Sequence, residues 1–237
     1  MGIVIDFAQP VLVHPITVWG FFVVLSALVS YIYLASQFAK HKVKTNAFDF
    51  VTVAYTAGLI GSKLHSVAEG NFSGMNYQGG LILASLVSWK HIRLTSESVS
   101  RVSDMVVVAV LLGHGIGKLG CFFSADGCYG TKTDMPWGMS FPNGHIPTTQ
   151  FVHPAPLYEA GLSWTTAWIL DKQLSVSYRA WDNTILFLAF SGFARFVIEY
   201  FRPHPEVLLG LSAYQIISMG LVAVSMMMHV RRRTKIN

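Results

Sequence analysis

Seven apolar runs, at roughly 16–37, 48–68, 77–90, 103–123, 156–171, 183–201 and 208–230, divide this chain, and the segments between them alternate in positive charge. A helix of about 20 apolar residues spans the hydrocarbon core of a bilayer, where the backbone has no water to bond and must satisfy its own polar groups. The third and fifth runs are short for that purpose. Lys40, Lys42 and Lys44 follow the first run; Lys90, Arg93 and Arg101 follow the third; Lys172 and Arg179 follow the fifth; Arg231, Arg232, Arg233 and Lys235 follow the seventh. The alternate segments hold only Lys132 and Arg202. Since cationic loops stay on the cytoplasmic side, this bias predicts the N-terminus outside and the C-terminus in the cytoplasm. Charged residues make up only 12% of the 237, about half the share in a soluble domain. The expectation is an all-α integral membrane protein with about seven transmembrane helices. Its net charge of +5 resides mostly in those four clusters and forms no basic face, so no nucleic-acid partner is expected.

No internal repeat or low-complexity tract interrupts the pattern, so residues 1–237 read as a single transmembrane domain. The opening MGIVIDFAQPVLVHPITVWGF has no basic start and no small-residue cleavage site before its apolar run, and reads as a short outside segment rather than a signal peptide. Gly and Pro concentrate in PWGMSFPNGHIP, within a long outside loop or arm at about 124–155. A long loop in a compact protein commonly carries function.

Polar groups at membrane depth carry the functional signal. Lys63, Lys118, Arg195 and Glu199 lie in or at the outer edge of the apolar runs, and Glu69, Asp126, His153, Glu159 and Arg202 lie near the outer boundary. A charge at the bilayer centre costs at least about 2.5 kcal/mol, so these groups should face one another or a polar ligand. With runs two, four and six ascending outward, Lys63, Lys118 and Arg195 fall at one depth and suggest an anion site. The alternative is that each cation reaches the headgroups or pairs locally, as Arg195 can with Glu199 at i,i+4.

Four stretches, YQGGLILA at 77–84, GIGKLGCFFSADGCYGTKTDMPWGMSFP at 115–142, HPAPLYEA at 153–160 and RFVIEYFRPHP at 195–205, resemble the motifs of bacterial prolipoprotein diacylglyceryl transferases in order and spacing. A weaker resemblance runs from HPITVWG to AYQIISM. It implies an enzyme of the bacterial plasma (inner) membrane, without a cofactor or metal. Its partners would be phosphatidylglycerol in the membrane and the lipobox cysteine of a lipoprotein precursor signal peptide. The diacylglyceryl group would pass to that thiol at the outer leaflet. Carried over on the matching motifs, the resemblance implies catalytic roles among Lys118, Asp126, Arg195, Glu199 and His153. It implies lipid or phosphate contacts among Trp19, Lys63, Gln78, Gly79, Gly80, Lys118, Tyr158, Arg195 and Arg202. Fixed cations suit the charge developing on a departing phosphate. The acceptor thiol must lose its proton, and Asp126, Glu199 and His153 all remain candidates to take it.

The departures concern the polar groups. The family's stretch typically begins Gly-Arg-Ile-Gly-Asn; here Lys118 and Cys121 stand at the arginine and asparagine positions. Lysine keeps the charge and loses the planar double donor. Gln78 stands where a histidine is common, Trp19 where an aromatic hydroxyl is usual, and Lys63 where a second arginine is usual. A divergent paralogue using another acceptor, or a non-catalytic lipid-binding protein, is the alternative these changes raise. Cys121 and Cys128 lack both CxxC spacing and the paired ligands of a structural zinc site. Cys121 reads as a small apolar residue in helix packing and Cys128 as a loop residue, with a redox pair as the alternative.

Overall fold

A computed structural model of the chain describes residues 2–6, 11–13, 16–68, 70, 72, 75, 77–95, 97–176, 179–202 and 206–233. Strand β1 (Ile3–Val4) and the pair β2 (Val11–Val13) and β3 (Ile16–Thr17) precede four helices: α1 (Val18–Lys40), α2 (Ala47–Ala68), α3 (Tyr77–Leu94) and α4 (Val99–Ser124). Strands β4 (Met139–Phe141) and β5 (Thr148–Val152) follow, then α5 (Ala155–Val176) and α6 (Asp182–Glu199), the hairpin β6 (Glu206–Leu208) and β7 (Leu211–Ser212), and α7 (Ala213–Arg233).

One helix stands at each apolar run, and α1, α4 and α7 are long and apolar enough to cross a membrane by length and composition alone. Outward-facing Val24, Leu28, Ile32, Ile82, Leu86, Phe193, Met226 and Met227 are exposed on α1, α3, α6 and α7. Apolar surface spread over several helices in this way needs a hydrocarbon solvent rather than water.

The helix pairs α1 with α4, α4 with α5, and α6 with α7 build the bundle, while α2 and α3 pack tightly on one another. Glycines permit that last approach. A Cβ on Gly79 would overlap His65 Cβ and the Gly61 carbonyl, and one on Gly80 would overlap Ser62 and the Gly58 carbonyl. At one end of the bundle the core consists of Leu34, Phe38, Phe50, Val102 and Met105. At the other, Ile5, Phe122, Phe141 and Val152 close under a small sheet of order β1-β4-β5. The arm at 124–155 is therefore a built structure, with β1 pairing parallel to β4 and β4 antiparallel to β5. It covers the C-terminal end of α4.

Buried Asp104 fixes the start of α6. Trp181, ahead of that helix, has φ 71° and supplies no side-chain cap. The Asp104 carboxylate on α4 accepts instead from the Trp181 and Thr184 backbone N–H groups, each at 2.8 Å, and from the Thr184 hydroxyl at 2.7 Å. An acceptor borrowed from another helix satisfies the orphan donors of the first turn and locks α6 against α4.

The run expected from residue 208 begins as a helix only at Ala213. Leu209 (φ 52°) and Gly210 (φ 73°) form the two-residue turn of the β6–β7 hairpin, the backbone that matches strand twist in tight hairpins.

Candidate functional site

Lys118 sits near the C-terminal end of α4, one helical turn after His114, and Glu159 sits near the start of α5, one turn before Ser163. The two helices meet in that register. His114 Nδ1 lies 2.8 Å from Ser163 Oγ, and Lys118 Nζ lies 2.8 Å from Glu159 Oε2. The other carboxylate oxygen, Oε1, accepts from Arg202, just beyond α6. Glu159 is only 8% exposed. Two cations therefore share one buried carboxylate, which leaves the trio with one net positive charge. Arg202 Nε is buried with no hydrogen-bond partner among the described residues.

A second pair stands on α6, where Arg195 Nη2 lies 3.0 Å from Glu199 Oε2. Glu199 Oε1 accepts from the Ser212 hydroxyl at 2.6 Å, and the Arg195 guanidinium lies over the Tyr214 ring, 4.6 Å from its centre. This is the local i,i+4 pairing open to Arg195 in the sequence, strengthened by the hairpin and α7. His114, one turn before Lys118, lies within electrostatic reach of Lys118, Glu159, Arg195 and Arg202.

The HPAPLYEA turn is tied to the same region. His153 exchanges backbone hydrogen bonds with Gly130 and Thr131, and the Thr131 N–H bonds the Phe201 carbonyl. Its ring lies 3.3 Å from the Tyr158 hydroxyl through Nδ1 and packs on Phe201. The Tyr158 hydroxyl accepts from Trp137 Nε1 at 2.8 Å. His153 and Tyr158 thus anchor the loop that delivers Glu159 and Arg202.

Beyond Lys118, α4 ends on Ala125 in the left-handed region (φ 47°), with Gly127 also at positive φ (86°). These two reversals fold the chain back on itself. Donor atoms of Cys121, Asp126 and Cys128 come within 4.8 Å of one another, and Asp126 Oδ1 accepts from the Cys128 N–H. Both cysteines are free. The Cys121 thiol beside it pulls the Cys128 thiol below its ordinary range, with help from the Lys118 ammonium and against the effect of burial. Treated in the sequence as separate packing and loop residues, the two cysteines form one group.

Other expected contacts lie elsewhere. Lys63 is exposed on α2 and donates to the Phe72 carbonyl, so it does not share the cluster of Lys118. Gly79 and Gly80 face α2, where their lack of a side chain serves helix packing. Trp19 is half-buried in the first turn of α1. The Gln78 side chain, Glu69 and residues 203–205 lie outside the described residues. Glu159, the hub, was only a boundary acid in the sequence. The signal that could have found it is the matching i,i+4 ladder, His114 and Lys118 on one helix against Glu159 and Ser163 on the other.

The sequence pattern of the prolipoprotein diacylglyceryl transferase family matches residues 8–231. A phosphatidylglycerol–prolipoprotein diacylglyceryl transferase from Mannheimia succiniciproducens is 36% identical over 163 residues, covering 68% of this chain and 58% of its own length. Proteins of the same name from Geobacter sulfurreducens and Coxiella burnetii are 34% identical over 182 residues and 36% over 149, covering 72% and 62% of this chain. The matches span 66% and 55% of those two relatives.

Proposed function

Because the chain belongs to the prolipoprotein diacylglyceryl transferase family, we propose that it moves the diacylglyceryl group of phosphatidylglycerol to the lipobox cysteine of a lipoprotein precursor. The thiolate sulfur attacks the glycerol carbon that bears the phosphate. A C–S bond forms, the C–O bond breaks, and its electron pair leaves on glycerol phosphate. The thiol proton passes to a base, for which Asp126, Glu199 and His153 stand as candidates.

The single observation that supports this best is the buried trio Lys118, Glu159 and Arg202, with its one net positive charge and an Arg202 Nε donor that has no partner among the described residues. A phosphate oxygen would supply the acceptor that this donor lacks among the described residues. Removed from water, these cations stabilise charge on the departing phosphate without reorganising. Arg195 is the second candidate phosphate contact, held by Glu199. In this reading all seven helices cross the bacterial inner membrane as one domain, with the N-terminus outside, the C-terminus cytoplasmic, and the trio opening to the outer leaflet. A divergent acceptor is the second reading, favoured by the two free thiols beside Lys118.

The experiment is transfer of labelled diacylglycerol from phosphatidylglycerol to a lipobox peptide by the purified protein in detergent. Lys118→Gln should lower the rate on the order of a hundredfold or more, and Lys118→Arg should keep it. Wild-type activity in Lys118→Gln refutes the role of the trio. Lack of transfer to any lipobox peptide, with phosphatidylglycerol still bound, favours the divergent acceptor.

A further inference from the structure

Apart from Asp126 as one of three candidate bases, the group formed by Cys121, Asp126 and Cys128 is not used in the lipid-transfer step, and its chemistry is specific. Two sulfur atoms and a carboxylate oxygen lie within 4.8 Å of one another. The chain reaches this arrangement through a helix end with two closely spaced reversals, at Ala125 and Gly127. The geometry points to a binding site for a borderline-soft divalent cation of the zinc class.

In a tetrahedral zinc site the thiolate ligands stand about 2.3 Å from the metal, which puts their sulfur atoms roughly 3.8 Å apart. Closing from the present separation requires shifts of only about 1 Å, within reach of cysteine and aspartate χ1 rotation. Three protein ligands leave the fourth position open, the pattern of sites that bind water or a further ligand. Thiolates discriminate against magnesium and calcium, which prefer oxygen donors, and the carboxylate favours zinc over monovalent copper.

The charges nearby agree. With both thiols protonated, Lys118 and Arg202 balance Asp126 and Glu159, and both cations lie close enough to act on the two sulfurs. Exchange of the two thiol protons for one dication leaves that balance unchanged. In a low-dielectric setting this matters, since an uncompensated charge is costly there. A thiol pair without the carboxylate would lack the third ligand, and hydrogen-bonded Asp126 is already turned toward Cys128.

The test uses the full chain, purified anaerobically in detergent with a phosphine reductant and titrated with Co²⁺ as the spectroscopic stand-in for Zn²⁺. The expected result is one equivalent bound, with a thiolate-to-cobalt charge-transfer band in the near ultraviolet and the visible bands of a tetrahedral site, all displaced by Zn²⁺. Cys121→Ser and Cys128→Ser should each abolish the charge-transfer signature of the pair, and Asp126→Asn should weaken binding at least tenfold. Size-exclusion profile and helical circular dichroism show which variants are folded. One result overturns the proposal without relying on any variant's fold: reduced wild-type protein with both thiols titratable takes up no cobalt and gives no band. An unchanged band in the folded Cys121→Ser/Cys128→Ser variant overturns it as well. The readout does not depend on lipid transfer, so failure of the metal site and failure of the transfer reading are separate outcomes.

Discussion

Replacing Glu159 with glutamine should destabilise the protein more than any other single charge removal in the bundle. Glu159 is 8% exposed, and its carboxylate bridges Lys118 and Arg202, whose side chains are 16% and 12% exposed. Removing one partner of a buried pair leaves the other charge uncompensated, at a cost of about 3–5 kcal/mol. Here one change strands two cations at once. They are not fully dry, and they repel one another, so the two losses do not simply add. An expected total of about 4 kcal/mol lies within the range for one broken pair and amounts to nearly three decades in the folding equilibrium. The assay is reversible unfolding in mixed micelles, run as a double-mutant cycle with Lys118→Gln. The double variant should be less destabilised than the two single variants together, because a neutral amide in place of the Lys118 ammonium no longer needs a carboxylate. A Glu159→Gln protein within about 0.5 kcal/mol of wild type, with no coupling to Lys118, would refute the shared-carboxylate account.

Asp104→Ala should cost about 2–3 kcal/mol, since it removes the acceptor of three hydrogen bonds at the start of α6; Asp104→Asn, which keeps one oxygen, should cost less, and equal losses in chemical unfolding would contradict the cap. Gly79→Val should force α2 and α3 apart and cost about 1–3 kcal/mol or more, whereas Gly117→Ala, with open space around its Cα, should be near neutral in the same assay. A topology reporter fused after Asn237 should be active only in the cytoplasm and one inserted beside Lys132 only outside; the reverse pattern would put the trio at the wrong leaflet.

Much of the helix layout was legible because apolar length is a local property of the chain. The run at 103–123 falls inside α4, and that at 183–201 nearly coincides with α6. The Arg195–Glu199 pair was legible for the same reason, as a spacing on one helix. Glu159 was not, since its partners come from α4 and from beyond α6, and only the packing of three elements brings them together. The small strands escaped notice because segments of two to five residues carry too short a period to detect. Gly79 and Gly80 suggested a ligand contact through their motif; that their missing Cβ also lets α2 and α3 approach closely depends on the neighbouring α2 backbone, which the motif does not show. The cysteine group depends on the positive φ of Ala125, a conformation that alanine does not advertise.

The central claim is that the Lys118, Glu159 and Arg202 trio receives the phosphate of the donor lipid, and an experimental structure of the protein with phosphatidylglycerol bound tests it most directly. The account predicts the headgroup phosphate within hydrogen-bond distance of Lys118 Nζ and the Arg202 guanidinium, with Arg202 Nε engaged and Glu159 still bridging. A phosphate seated instead beside Lys63 and the α2–α3 pair, with the trio closed on itself, would contradict it.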